Sequence, residues 1–224
     1  MSEAITPLRA RYYPAMLDVR GRRAIVIGGG KIAARKAAEL VACGAHVEII
    51  DPTPCADVEA LALSQAVTLT RAPYRNGDLA DAALAIVATD DAVVQKAAWI
   101  EAQMRGILVN TVDEASRCSF IAPSILRRGP LTIAVSTDGT NPSLARRIRE
   151  RLEVQFPQAY GPFLELAAHA RRRLRDAGLG YNERDKFMGE LVNSEVLALI
   201  GDANEEDANK IVSRLLSEYG VTEP

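Results

Sequence analysis

Thiols, imidazoles and aromatic rings are all scarce in this sequence. Its 224 residues include three cysteines, two histidines and 5% aromatic residues. Cys43, Cys55 and Cys118 are scattered, odd in number and form no C-x-x-C pair, so neither a disulfide framework nor a thiolate zinc site is supported. Reduced thiols are expected instead. His46 and His169 stand outside any metal-ligand spacing, so no dedicated metal site is expected. No apolar run approaches the roughly 18 residues of a membrane span. Met1 to Thr6 lack a basic stretch followed by an apolar one, which argues against a secretory leader and for a cytoplasmic protein. An excess of one charge is also missing. The net charge is −2, which argues against a general nucleic-acid binder. Basic residues cluster only locally, at Arg127-Arg128, Arg146 to Arg151 and Arg171 to Arg175.

Against these absences stands one dense motif. Arg23-Ala-Ile-Val-Ile-Gly-Gly-Gly-Lys-Ile-Ala33 reads as a buried strand, a glycine turn and the start of a helix. A second strand, His46 to Ile50, ends in Asp51. Each residue type has a physical reason in a dinucleotide site. Gly28 allows a tight turn out of the strand, Gly30 lets the backbone come close to a pyrophosphate, and Ala33 lets the helix pack closely; Gly29, between the two glycines, is expected at the cofactor with them. Backbone N–H groups around Lys31 and Ile32 then face the phosphates. Asp51 lies about 20 residues after the glycines, where a carboxylate takes the ribose hydroxyls. The expected cofactor is NAD.

The rest of the first half continues the alternation. A helix is predicted from Lys31 to Cys43, a weaker one over Val58 to Leu63, and strands at Val67–Thr70, Leu84–Ala88 and Ile107–Val109. Thr89, Asp90 or Asp91 is expected to cap the helix that runs through Trp99 to Met104. Strands alternating with helices predict a parallel, doubly wound sheet. After Asp113 the pattern changes. Ser119–Leu126 and Leu131–Ser136 read as two strands, and a helix starts at Asn141-Pro142. Phe156-Pro157 and Gly161-Pro162 mark a boundary. Beyond it, helices are predicted over Phe163–Ala177, Glu183–Ile200 and Glu205–Tyr219.

These blocks resemble the precorrin-2 dehydrogenase module of siroheme synthases. The resemblance rests on Tyr13-Pro14, Gly28-Gly-Gly30, Ala88-Thr-Asp-Asp91, Asn110-Thr-Val-Asp113, Ser119-Phe-Ile-Ala-Pro-Ser124, Ala134-Val-Ser136, Gly139-Thr-Asn-Pro142 and Leu144-Ala-Arg146. It covers roughly Tyr13 to Glu153. It implies an α/β protein in three parts: a Rossmann-type, NAD-binding parallel sheet over 1–113, a two-strand-plus-helix dimerisation region over 114–156, and a helical domain over 157–224. It also implies a homodimer that takes a hydride and a proton from precorrin-2 to give sirohydrochlorin. Some members also insert ferrous iron. In multifunctional relatives a methyltransferase domain follows, and this polypeptide is expected to lack that activity.

The site residues follow from both readings. Asp113 is the expected catalytic base, at the carboxyl edge of the sheet, where α/β folds hold ligands. A turn or cap aspartate is the plainer alternative. Thr89 and Asn110 are expected to touch the cofactor. Ser124, Ser136, Thr137 and Arg146 are expected to hold the tetrapyrrole carboxylates through hydroxyl and guanidinium donors. Cys118 reads as a small buried thiol. A nucleotide-sensing DNA regulator is the competing class, but the acidic C-terminal helices argue against it.

Overall fold

The computed structural model describes residues 12–222. The reading of Met1 to Thr6 therefore lies outside the described residues. The chain divides into two compact units that part between Ala122 and Pro123.

In the first unit, strands and helices alternate as β1 (Arg23–Ile27), α1 (Lys31–Ala42), β2 (His46–Ile50), α2 (Ala56–Leu63), β3 (Thr68–Thr70), β4 (Leu84–Val87), α3 (Ala92–Arg105) and β5 (Leu108–Thr111). The five strands are parallel, in the order β3-β2-β1-β4-β5. The order reverses between β1 and β4, and that reversal opens a crevice at the carboxyl ends of the strands.

The strand sequences explain why the sheet lies inside. Ala24 and Val26 of β1 join one apolar cluster with Ala33 and Ala37 of α1. Ile25 and Ile27 join another with Ala98 and Ala102 of α3. A strand buried on both faces must read as a continuous apolar run, and Ala-Ile-Val-Ile does. One carboxylate enters this interior. Glu101 of α3 is only 3% exposed. It accepts hydrogen bonds from the Tyr74 hydroxyl at 2.5 Å, the Gly77 amide at 2.8 Å and Arg105 Nε at 2.7 Å.

The second unit begins with an antiparallel pair, β6 (Ser124–Arg128) and β7 (Leu131–Val135). Next come α4 (Pro142–Gln155), α5 (Tyr160–Asp176), α6 (Tyr181–Val192), α7 (Val196–Gly201) and α8 (Glu205–Glu218). Asn141 caps α4 by accepting from the Leu144 amide, with Pro142 in the first turn as expected. The last four helices share a core that includes Phe163, Leu174, Phe187, Leu191 and Leu216.

Three local expectations need correction. β6 begins at Ser124 and not Ser119, because the residues before it serve the edge of β5, as described below. Gly161-Pro162 is no boundary: both residues lie in the first turn of α5, where proline's missing N–H costs nothing. The helix predicted over Glu183–Ile200 is two helices. Ser194 breaks it by donating to Leu191 O at 2.7 Å and accepting from the Val196 amide at 3.3 Å, a side-chain substitute for the helical ladder. Of the three candidates for the cap of α3, the structure selects Asp91, which accepts from Val93 and Val94. Among the described residues, no helix is long and apolar enough to cross a membrane.

Candidate active site

The site is built where β1, β4 and β5 end. β1 leaves the sheet through Gly28, at φ +115°. The Gly28 amide donates to Ile50 O at 3.0 Å, at the end of β2. A methyl group on Gly28 would lie 2.3 Å from Ala88 O, so the turn is wedged between its two neighbouring strands and admits only glycine. Gly29 O accepts from the Cys55 amide at 2.8 Å. Gly30 is the N-cap of α1, in extended backbone, with no side chain over the helix end and no acid in the first turn.

Gly28 and Gly30 have different tasks. A methyl group on Gly30 would meet no atom within 4 Å. The protein does not need glycine there for its own packing. The space stays open above the unpaired first-turn amides of Lys31, Ile32 and Ala33, which is the environment an anion takes at a helix N-terminus. Asp51 closes β2. Its Oδ1 accepts from the Thr53 amide at 2.7 Å, which fixes the carboxylate beside the glycine turn. Pro52, Thr53 and Pro54 follow it, so no cation stands directly after Asp51. Together the open helix end and the fixed carboxylate fit a dinucleotide's pyrophosphate and ribose.

A cleft beside this loop is lined by Ile32, Ala88, Thr89, Gln95, Val112 and Asp113, among others. Thr89 Oγ1 accepts from the Asp91 amide at 3.3 Å, and its carbonyl accepts from Gln95 Nε2 at 2.8 Å. Gln95 Oε1 also accepts from Arg117 Nη1 at 3.3 Å. Gln95 therefore links the two sides of the rim. No motif marks it in sequence; only its place one turn into α3 brings it there.

Asp113 sits on this rim, exposed, in the left-handed backbone region at φ +60°. Its carboxylate makes no hydrogen bond or ion pair among the described residues. The neighbouring acid behaves differently: Glu114 accepts from the Ser116 hydroxyl at 2.5 Å, and that bond holds its carboxyl below the usual range.

The segment after Asp113 returns along β5. Ser119 donates its amide to Val109 O at 2.8 Å and takes the Val109 amide on its hydroxyl at 2.7 Å. Two residues on, the Cys118 thiol meets both backbone groups of Thr111, its N and its O, at 3.2 Å. Asn110 Nδ2 donates to Phe120 O at 3.0 Å, so its amide group holds this returning segment. The Thr111 hydroxyl donates to Arg117 O at 3.1 Å. β5 is an edge strand, and side chains here satisfy the backbone groups a sixth strand would otherwise pair.

The remaining candidates lie in the second unit. Ser124 opens β6. In the loop before α4, Ser136 Oγ accepts from the Asp138 amide and Thr137 Oγ1 from the Asn141 amide, each at 3.0 Å. Both hydroxyls keep their own protons to donate. Arg146 is exposed on α4 and lies 4.0 Å from Glu150. Arg128 is committed to its own unit, donating Nε to Phe156 O at 2.8 Å. Among the described residues, no three His, Cys, Asp or Glu side chains gather as a metal site.

Comparison with known proteins agrees with this geometry. Residues 15–124 match the family of putative NAD(P)-binding proteins, and residues 128–155 match the central segment of sirohaem biosynthesis proteins. The chain is 36% identical over 206 residues to a siroheme synthase of Nitrosomonas europaea, covering 92% of this chain and 43% of that protein. It is 35% identical over 213 residues to a siroheme synthase of Nitrosococcus oceani, covering 95% of this chain and 46% of that one. The chain thus spans a little under half the length of these relatives. Among solved structures, SirC, a precorrin-2 dehydrogenase, superposes with a TM-score of 0.76 at 24% identity, over 91% of this chain and all of that one. That likeness shows the fold. Over residues 15–124 and 128–155 the chain is thus similar to these two families, and over most of its length it is similar to siroheme synthases.

Proposed function

We propose that this relative of siroheme synthases is an NAD-dependent oxidoreductase that converts precorrin-2 to sirohydrochlorin. The observation that carries the reading is the Asp113 carboxylate, without a partner among the described residues, on the rim of a cleft that Ile32 of α1 also lines. NAD, when bound, supplies the hydride acceptor. The chain's own residues do the rest. The amides at the start of α1 hold the pyrophosphate, and Asp51 takes the ribose hydroxyls. Ile32 and Val112 give the cleft apolar walls that limit water beside the reacting carbon. The oxidation removes two hydrogens, one as hydride and one as a proton, and Asp113 accepts the proton. Ser124, Ser136, Thr137 and Arg146 are the donors we assign to the tetrapyrrole carboxylates.

The parts of the reading carry different tasks. Residues 1–113 hold the cofactor and the base, residues 114–156 form the contact of a homodimer, and residues 157–224 complete the helical portion. A two-stranded sheet with two free edges, and the exposed apolar side chains Ile125 and Leu144, support the dimer. Reduced thiols and a nicotinamide site support a cytoplasmic setting.

Asp113→Asn tests the central claim. The amide keeps the side-chain shape but cannot accept the proton. Loss of a positioned base costs about 10²–10⁴ in rate. Anaerobic turnover of precorrin-2 with NAD, followed by sirohydrochlorin absorbance, is expected to fall by that factor while NADH binding persists. Wild-type turnover would remove Asp113 from catalysis. Adding ferrous iron to the same assay reports whether the carboxylate also serves metal insertion.

A further inference from the structure

Among the described residues, no side chain bonds the Asp113 carboxylate and so aims it. The direction must therefore come from the backbone of the turn that carries it, and that turn is tied on both sides of Asp113. The Val112 amide donates to Val87 O of β4 at 2.9 Å, and the Glu114 amide to Thr111 O at 3.3 Å. The third tie is a side chain. Cys118 Sγ receives the Thr111 amide at 3.2 Å, and its S–H faces two carbonyls, Thr111 O at 3.2 Å and Glu114 O at 3.4 Å. One thiol thus touches the residue before Val112 and the residue after Asp113.

We propose that Cys118 is a positioning residue, whose thiol clasps Thr111 and Glu114 and so holds the Asp113 carboxylate toward the cleft. The inference rests on the reading of Asp113 as the base. Three observations support it beyond proximity. Asp113 is in the left-handed region, which favours glycine, so the turn needs ties to hold an L residue there. Burial pushes the Cys118 thiol up, which favours the protonated, donating form. Sulfur also has the reach: its long bonds and soft acceptor let one atom serve an amide and two carbonyls.

The experiment compares Cys118→Ala, Cys118→Ser, Asp113→Asn and the double variant Asp113→Asn/Cys118→Ala, using single-turnover oxidation of precorrin-2 beside NADH titration. A small misplacement of a reacting group costs about 10–100-fold. Cys118→Ala is expected to lose that factor in rate with NADH affinity within about twofold, and Cys118→Ser, which keeps a donor and an acceptor, to recover most of it. In the Asp113→Asn background, Cys118→Ala is expected to cost little more, because a residue acting through Asp113 has nothing left to position. A full-rate Cys118→Ala enzyme, or an equal loss in both backgrounds, overturns the proposal while leaving Asp113 as the base. Full activity in Asp113→Asn overturns both.

Discussion

Asp51 and Gly29 are neighbours across the end of the sheet, although 22 positions separate them in the chain: a methyl group on Gly29 would lie 2.6 Å from Asp51 Cγ and 2.8 Å from its Oδ1. The carboxylate packs directly on the glycine turn, and the Thr53 amide holds it there. This contact sets the expectations for the cofactor.

NADH should bind more tightly than NADPH. A 2′-phosphate would meet the Asp51 carboxylate with no cation directly after it to compensate. Asp51→Ala should weaken NADH by about 10–100-fold, the loss of a hydrogen bond to a charged group. Fluorescence titration with both nucleotides checks this, and a preference for NADPH in the native protein would refute it.

Gly28→Ala and Gly30→Ala should fail in different ways. At Gly28 the new methyl meets Ala88 O and the backbone is left-handed, so stability should drop by about 3 kcal/mol or more. At Gly30 the methyl meets no protein atom, and stability should stay within about 0.5 kcal/mol. NADH affinity of Gly30→Ala should nonetheless fall about tenfold or more, because the methyl enters the space assigned to the pyrophosphate. Denaturant melts and titrations of both variants separate the two roles. Unchanged affinity in Gly30→Ala would move the phosphates elsewhere.

Glu101 should make the fold acid-sensitive. Burial alone would raise its pKa, but the bonds from Tyr74, Gly77 and Arg105 outweigh burial and hold it below the ordinary 4.5. A depressed folded pKa contributes stability that is present above the unfolded value and is lost as pH falls through the folded one. Glu101→Gln should therefore cost about 1–3 kcal/mol at pH 7, and the gap from the native protein should close below about pH 4.5. Urea midpoints across that range decide it; a gap independent of pH would mean that the charge is not what stabilises the fold.

The native protein should run at twice the monomer mass in light scattering at micromolar concentration. Ile125→Asp, which places a charge on the exposed face of β6, should shift it toward monomer without changing the far-ultraviolet circular dichroism. A native monomer would oppose the proposed dimer.

Much of the first unit was legible in the chain because its signals are local. Apolar runs, glycines at turns and a terminal acid each follow from backbone geometry over a few residues, so the order of β1, α1 and β2 could be read directly. The helix ends were less legible. Asp91, Asp90 and Thr89 are all good caps by type, and only the path of the chain after β4 selects Asp91. Ser194 divides α6 from α7 through bonds that are indistinguishable in sequence from an ordinary serine on a helix surface.

The blocks Asn110 to Asp113 and Cys118 to Phe120 show most clearly what tertiary structure decided. In sequence, Asp113 reads as the base, Asn110 as a cofactor contact and Cys118 as a small buried thiol. In the fold, Asn110, Thr111, Cys118 and Ser119 turn to the edge of β5 and satisfy backbone groups, while Asp113, of the polar residues in these two blocks, lines the cleft with no partner among the described residues. The physical reason is the cost of an unpaired strand edge, which belongs to the sheet as a whole and appears only when the neighbouring strand is absent. Residue types and spacing determined that a nucleotide loop and an acid would meet at the carboxyl end of a parallel sheet. Which side chains remained free there was settled by the unmet hydrogen bonds of its last strand.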